Sequence, residues 1–155
     1  MEKSVTAKGK LNFSFHVPWA ESEVEKLSAR ALSYIGDSIF ELGIRLRTLS
    51  FSSETARESH QTASAVVCAS KQAEFFSSII NDVSPKEAEL LKSWRNAKLP
   101  SRPRAGFDKV AYARSTAFEA WIGYLFLTGQ SERLDKLIEW CMNGEKVNGN
   151  EPAEE

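Results

Sequence analysis

The chain has 155 residues, 42% of them hydrophobic and 26% charged, with a formal net charge of −1. That balance reads as one soluble globular domain with a single substantial core. No apolar run approaches the ~18 residues that cross a bilayer, and Met1–Ser4 carries no charged-then-apolar secretion signal, so a membrane span is excluded and export is not expected.

Residues 1–26 read as an N-terminal arm, with Phe13, Phe15, Trp19 and Pro18 scattered without period. The first strong helix runs from Ala29 to Leu49, where Leu32, Ile35, Ile39, Leu42, Leu46 and Leu49 form one continuous apolar seam. Ser50–Glu54 breaks it. A second helix is predicted from about Ser59 to Asn81, with Val66, Ala69, Ala73, Phe76 and Ile80 on one face. A third starts at Ser84-Pro85-Lys86-Glu87, where Ser84 suits the N-cap, Pro85 the first helical position and Glu87 a capping box. It carries Ala88, Leu91 and Trp94 inward and fades at Arg95-Asn96-Ala97. Leu99–Gly106, with two prolines and a glycine, is loop. A long helix follows from about Asp108 to Thr128, and a last one takes Ser131 as N-cap and buries Leu134, Leu137, Ile138 and Cys141. Residues 144–155, rich in glutamate and poor in apolar residues, read as a disordered acidic tail. The expectation is an all-α fold with its body at 27–143.

Cys68 and Cys141 lack CxxC spacing and sit in helical apolar patterns, so both read as core thiols in a reducing compartment. The charge is unevenly placed. Lys92, Arg95, Lys98, Arg102, Arg104, Lys109 and Arg114 against Asp108 alone give +6 between 92 and 114, leaving −7 for the rest. A basic stripe on an acidic body is the footprint of a phosphate-binding surface.

Two acids stand out. Asp37, beside Gly36, falls on the far side of its helix from the apolar seam, with Ser33 and Glu41 in line. It reads as a solvated acid next to a close helix crossing, or as a ligand. Glu119 lies in the most apolar helix, among Ser115, Thr116, Phe118, Trp121, Ile122 and Gly123. A buried carboxylate needs a partner, which is either an ion pair with Arg30 or Arg114 or a metal. Two carboxylates without a His or Cys cluster favour Mg²⁺, with Mn²⁺ as substitute, over zinc. His16 and His60 lack a triad context and read as structural, and no phosphate-cradling glycine loop supports a nucleotide cofactor.

Ala31-Leu32-Ser33-Tyr34-Ile35-Gly36-Asp37-Ser38-Ile39-Phe40-Glu41 resembles the signature helix of the ribonuclease III catalytic domain, and Ser115–Leu125 resembles that family's second catalytic helix. Lys92–Lys98, and more loosely Ser59-His60 and Ala69–Ala73, extend the match over roughly 27–140 and specify the Mini-III branch, which lacks a double-stranded RNA-binding domain. The resemblance implies a helical endonuclease domain of about five to seven helices, forming a homodimer that holds an RNA duplex in a valley across its interface. It implies Mg²⁺-dependent cleavage of double-stranded RNA, with Asp37 and Glu119 as catalytic, metal-binding acids. The family segment that grips RNA corresponds to 95–104, making Arg95, Asn96, Lys98, Arg102 and Arg104 the RNA-binding candidates, with Lys71 beside them.

Full-length members carry two further acids where this chain has Ser33 and Thr116, a departure that Mini-III proteins share. The implied task is trimming structured RNA, ribosomal RNA precursors above all; the alternative is a catalytically inactive, ribosome-associated RNA-binding protein on the same fold. The Ser-rich stretch Leu49-Ser50-Phe51-Ser52-Ser53, the Pro-rich basic loop and the acidic tail suggest a chloroplast stromal protein lacking its transit peptide, with a bacterial cytoplasmic enzyme as the alternative.

Overall fold

From Ala117 to Leu127 the chain is apolar on nearly every side, and such a helix is stable only when other helices surround it. A computed structural model, describing residues 16–50, 55–98, 106 and 108–144, places it at the centre. In chain order the helices are α1 (Glu21–Val24), α2 (Ala29–Ser50), α3 (Ala56–Val67), α4 (Ala69–Ile79), α5 (Pro85–Arg95), α6 (Lys109–Leu127) and α7 (Ser131–Asn143). No strand occurs among the described residues, in accord with the all-α expectation. The central helix is α6, which packs most extensively on α2, then on α4 and α5, with a smaller contact to α7. Phe118 of α6 meets Phe40 of α2 edge-on at 5.3 Å and Phe75 of α4 at 5.5 Å, joining three helices in one aromatic cluster.

Local signals explain most helix starts. Asp108 caps α6 by accepting from the backbone N–H groups of Val110 and Ala111 at 3.0 and 3.1 Å. Ser84 caps α5 by accepting from the N–H of Glu87 at 3.3 Å, with Pro85 at the first position. The Glu87 carboxylate in turn accepts from the Ser84 hydroxyl at 3.3 Å. It also turns inward, accepting from Arg133 at 2.7 and 3.0 Å and from the Trp121 indole at 3.3 Å. A full capping box forms at Thr55 and Glu58, opening α3.

Four expectations are corrected. The α2 seam is not one buried face. Leu32 and Ile39 are buried, but Leu42, Leu46 and Leu49 are exposed, because α2 turns Gly36, Phe40, Gly43 and Ile44 toward the core. The predicted helix over 59–81 is two helices, broken at Cys68, whose ψ of 150° is extended. Cys68 is consequently exposed rather than a core thiol, and Ala69 is exposed with it; Cys141 is buried as expected. Ser131 is the first helical residue of α7, and Gln130 takes the cap position without a side-chain cap.

Part of the N-terminal segment packs on the body. The Trp19 N–H donates to the Leu127 carbonyl at 2.8 Å, the His16 ring stacks on Phe126 at 4.6 Å, and Val24 of α1 is fully buried. The remainder of that segment, the 51–54 break, most of the Pro-rich loop and the acidic tail lie outside the described residues.

Candidate active site

Asp37 and Glu119 belong to two helices that touch backbone to backbone. A Cβ placed on Gly36 of α2 would lie 1.7 Å from the Glu119 carbonyl oxygen and 2.9 Å from the Gly123 nitrogen. Reciprocally, a Cβ on Gly123 would lie 2.2 Å from the Leu32 carbonyl oxygen. Neither position can hold any side chain, so the glycine pair sets how closely α2 and α6 cross. The residues beside the crossing are thereby brought together. Ser33, one turn before Asp37, donates its hydroxyl to Glu119 Oε2 at 2.7 Å. The close helix crossing expected at Gly36 is present, and it brings the helices that carry the two acids together.

The electrostatics are those of a site short of positive charge. Burial pushes the Glu119 pKa up to about 7; the Ser33 hydroxyl opposes this, the Asp37 charge adds to it, and a hydrogen bond from the Gln72 amide on α4 opposes it. Asp37 lies on the solvent side of α2, yet loss of hydration raises its pKa as well, and the nearby Glu41 charge adds to that. Among the described residues neither acid has a basic partner. Arg114 donates to Ser77 on α4 at 3.3 Å rather than to Glu119, and Arg30 is exposed. The ion-pair alternative for Glu119 is therefore not realised.

Two carboxylates that repel each other in a partly dehydrated place, with no basic partner among the described residues, suit a small divalent cation that keeps most of its water ligands. A closed cage is not formed: no three His, Cys, Asp or Glu cluster among the described residues. The His16 Nε2–H donates to the Leu127 carbonyl oxygen at 3.1 Å at the far end of α6, and His60 is exposed on α3.

The basic candidates are at the periphery. Arg95 closes α5 half-buried, its Nε donating to Asn96 Oδ1 at 3.3 Å, and Lys98 is exposed beyond it. Lys71 is exposed on α4 and paired with Glu74 at 2.8 Å. Arg102 and Arg104 lie outside the described residues. Sequence reasoning missed Gln72, which is 1% exposed on α4 and whose amide helps hold the Glu119 pKa down. Its signals were a polar residue beside the apolar row of Ala73 and Phe76 and its place in the loosely matching Ala69–Ala73 segment.

The ribonuclease III domain family profile matches residues 30–130. The chain is 34% identical to the Mini-ribonuclease 3 of Enterococcus faecalis over 122 residues, 77% of this chain and 92% of that one. It is 34% identical to the Mini-ribonuclease 3 of Symbiobacterium thermophilum over 108 residues (70% and 82%), and 35% identical to that of Gloeobacter violaceus over 121 residues (77% and 85%). A crystal structure of a Fusobacterium nucleatum protein superposes with a TM-score of 0.69 at 30% identity, covering 80% of this chain and 98% of that one. With the matched segment containing α2, α6 and the crossing between them, the chain belongs to the ribonuclease III domain family, in its Mini-ribonuclease 3 branch.

Proposed function

We propose that this ribonuclease III-family endoribonuclease cleaves double-stranded stems of structured RNA, with Asp37 and Glu119 holding a divalent cation. The observation that carries the reading is the pair of acids at the glycine crossing, both raised in pKa and neither paired with a cation. When bound there, Mg²⁺, or Mn²⁺ in its place, lowers the pKa of water and offsets charge on a phosphate. The chain's own groups prepare that site. Ser33 fixes one oxygen of Glu119, Asp37 presents its carboxylate to the side from which a phosphate arrives, and the α2–α6 backbone contact keeps the two acids from separating. Arg95 and Lys98, with Arg102 and Arg104 further along the chain, supply phosphate contacts, so that a duplex is read by backbone and A-form shape.

The active form proposed is a homodimer. Tyr34, Leu42, Leu46 and Leu49 are 77, 39, 44 and 66% exposed along α2, an apolar stripe that a second copy would cover. Because Asp37 is on the same helix, a pair of copies joined there carries two sites, one for each strand. Ribosomal RNA precursors are the proposed substrate and the chloroplast stroma the proposed compartment, with which the Gloeobacter relative is compatible.

Asp37→Asn tests the core of the proposal: Mg²⁺-dependent fragmentation of a long RNA duplex should be lost while folding and duplex binding persist. Cleavage at the wild-type rate in that variant refutes it. Duplex binding by the wild-type protein, without fragments at any Mg²⁺ concentration, would instead support the non-catalytic RNA-binding alternative.

A further inference from the structure

Helix α2 carries three arginines, and two of them are engaged by carboxylates, Arg45 by Glu41 and Arg47 by Asp135. The third, Arg30, is exposed and meets no acid among the described residues. Helix stability does not account for it either. Ser28 caps α2 by accepting from the Ala31 N–H at 3.1 Å, which puts Arg30 in the first turn. A positive charge there opposes the helix dipole, an acid is the favoured residue, and no acid stands in that turn.

Its place on the helix is what singles it out. Seven residues are about two turns, so Arg30 lies within about 20° of Asp37 around α2 and about 10 Å from it along the axis. Glu41 continues that line, and Ser33, whose hydroxyl donates to Glu119, borders it. The exposed leucines are elsewhere: Leu42, Leu46 and Leu49 fall about a third of a turn or more away from Asp37. Helix α2 therefore presents two outward lines, an apolar one suited to a second copy and a polar one that runs through the acids and begins with a free arginine. At two turns' distance Arg30 does not neutralise Asp37, whose pKa is raised by burial and then by Glu41.

An RNA strand brought to Asp37 and Glu119 carries its charge into a place that is already negative. A cation held by the acids offsets the phosphate at the point of cleavage, and the neighbouring phosphates need a counter-charge of their own. A guanidinium on the line of Asp37, held by no acid, can supply it through two parallel N–H bonds to phosphate oxygens. We propose that Arg30 binds a phosphate close to the scissile one, on the strand that is cut. The inference rests on the proposed reading of Asp37 and Glu119 as the cleavage site.

The test uses the full chain and an RNA duplex whose cut position has been mapped with wild type and Mg²⁺. Binding is measured in EDTA over a range of salt for wild type, R30A and R30K, with R30Q carried alongside so that the result does not hang on the folding of one variant. It is repeated on duplexes bearing a single uncharged methylphosphonate on a 2′-deoxy nucleotide at successive linkages around the cut, each compared with the same nucleotide bearing an ordinary phosphate. R30A and R30Q should lower the slope of log affinity against log salt by about 1, and R30K should restore it. One methylphosphonate near the cut should weaken wild-type binding about tenfold, the loss of one charge-assisted contact, and leave R30A unaffected. The urea midpoint of R30A should equal or exceed that of wild type. An unchanged salt slope overturns the proposal. So does a lowered slope with no linkage near the cut coupled to Arg30, or a loss of dimer by R30A in sedimentation velocity, which would assign the arginine to the subunit contact. If wild type cuts the duplex and R30A matches its affinity and slope, only the role of Arg30 is refuted. If wild type does not cut, there is no scissile phosphate, and the reading of the acids is refuted with it.

Discussion

Replacing Glu119 by glutamine should stabilise the metal-free protein at neutral and alkaline pH, the opposite of what substitution of a half-buried, hydrogen-bonded residue ordinarily does. The reason is the direction of its pKa. In the unfolded chain the carboxyl titrates near 4.5, and in the fold near 7. Between those values the folded protein holds a proton that the unfolded chain has lost, so unfolding releases a proton and stability falls as pH rises. Above about pH 7 the whole penalty is present. At about 1.4 kcal/mol per pH unit, the shift from 4.5 to about 7 corresponds to about 3 kcal/mol of lost stability. Glutamine mimics the protonated acid: it still accepts from Ser33 and carries no charge for Asp37 to repel. Urea unfolding of wild type and E119Q, each in EDTA at pH 4 and pH 8, reads the effect. The two should unfold together at pH 4, and E119Q should be more stable by about 3 kcal/mol at pH 8. Mg²⁺ added at pH 8 should narrow the gap by stabilising the wild type alone. An E119Q protein that is weaker than wild type at pH 8 in EDTA would mean that Glu119 is compensated by a cation within the chain, and the case for a metal there would fail.

Gly36→Ala should destabilise the fold by about 2 kcal/mol or more, since the helix-propensity gain of about 1 kcal/mol is small against forcing apart two helices whose backbones already touch; a urea midpoint equal to wild type would show that α2 and α6 slide apart freely. Leu46→Glu, alone or with Leu42→Glu, places charge in the exposed α2 stripe and should shift the protein from dimer to monomer in sedimentation velocity with its helical circular dichroism unchanged. A dimer that survives both changes locates the subunit contact elsewhere. Arg95→Ala with Lys98→Ala should lower the slope of log affinity against log salt by about 2 for a long RNA duplex, about one for each phosphate contact removed; an unchanged slope removes both residues from the RNA surface.

The architecture was largely legible because most of the helices announce themselves by period and punctuation. Asp108 and Ser84 start helices where side-chain caps are expected, and Gly129, at φ 74°, stops α6. What failed were features decided between helices. The spacing of Leu42, Leu46 and Leu49 is that of a buried seam, yet the buried face is chosen by Gly36 and Gly43, whose small size lets α6 and Ile138 of α7 come close. Apolar periodicity detects a stripe and is silent about which stripe faces in. The break at Cys68 contains neither glycine nor proline; it is held by Gln72 through a hydrogen bond back to Val67, and no local pattern encodes that. Ser131 is of the right type for a cap, but the turn through Gly129 and Gln130 places it one residue inside the helix. For the site, both acids and the glycine beside Asp37 stand out in the sequence. Their meeting depends on Gly123 lying opposite Gly36, and that pairing exists only in the packed helices.

The glycine crossing also bears on how this protein can vary. Since the distance between the two acidic helices is set by main chain against main chain, the ruler for the site contains no side-chain atoms. Leucines, phenylalanines and isoleucines around it can exchange identity and volume while the spacing of the acids stays constant, provided the two glycines remain. The spacing of the two acidic helices thus depends on two positions without side chains, and drift in the volume of the core around them need not become drift in the chemistry.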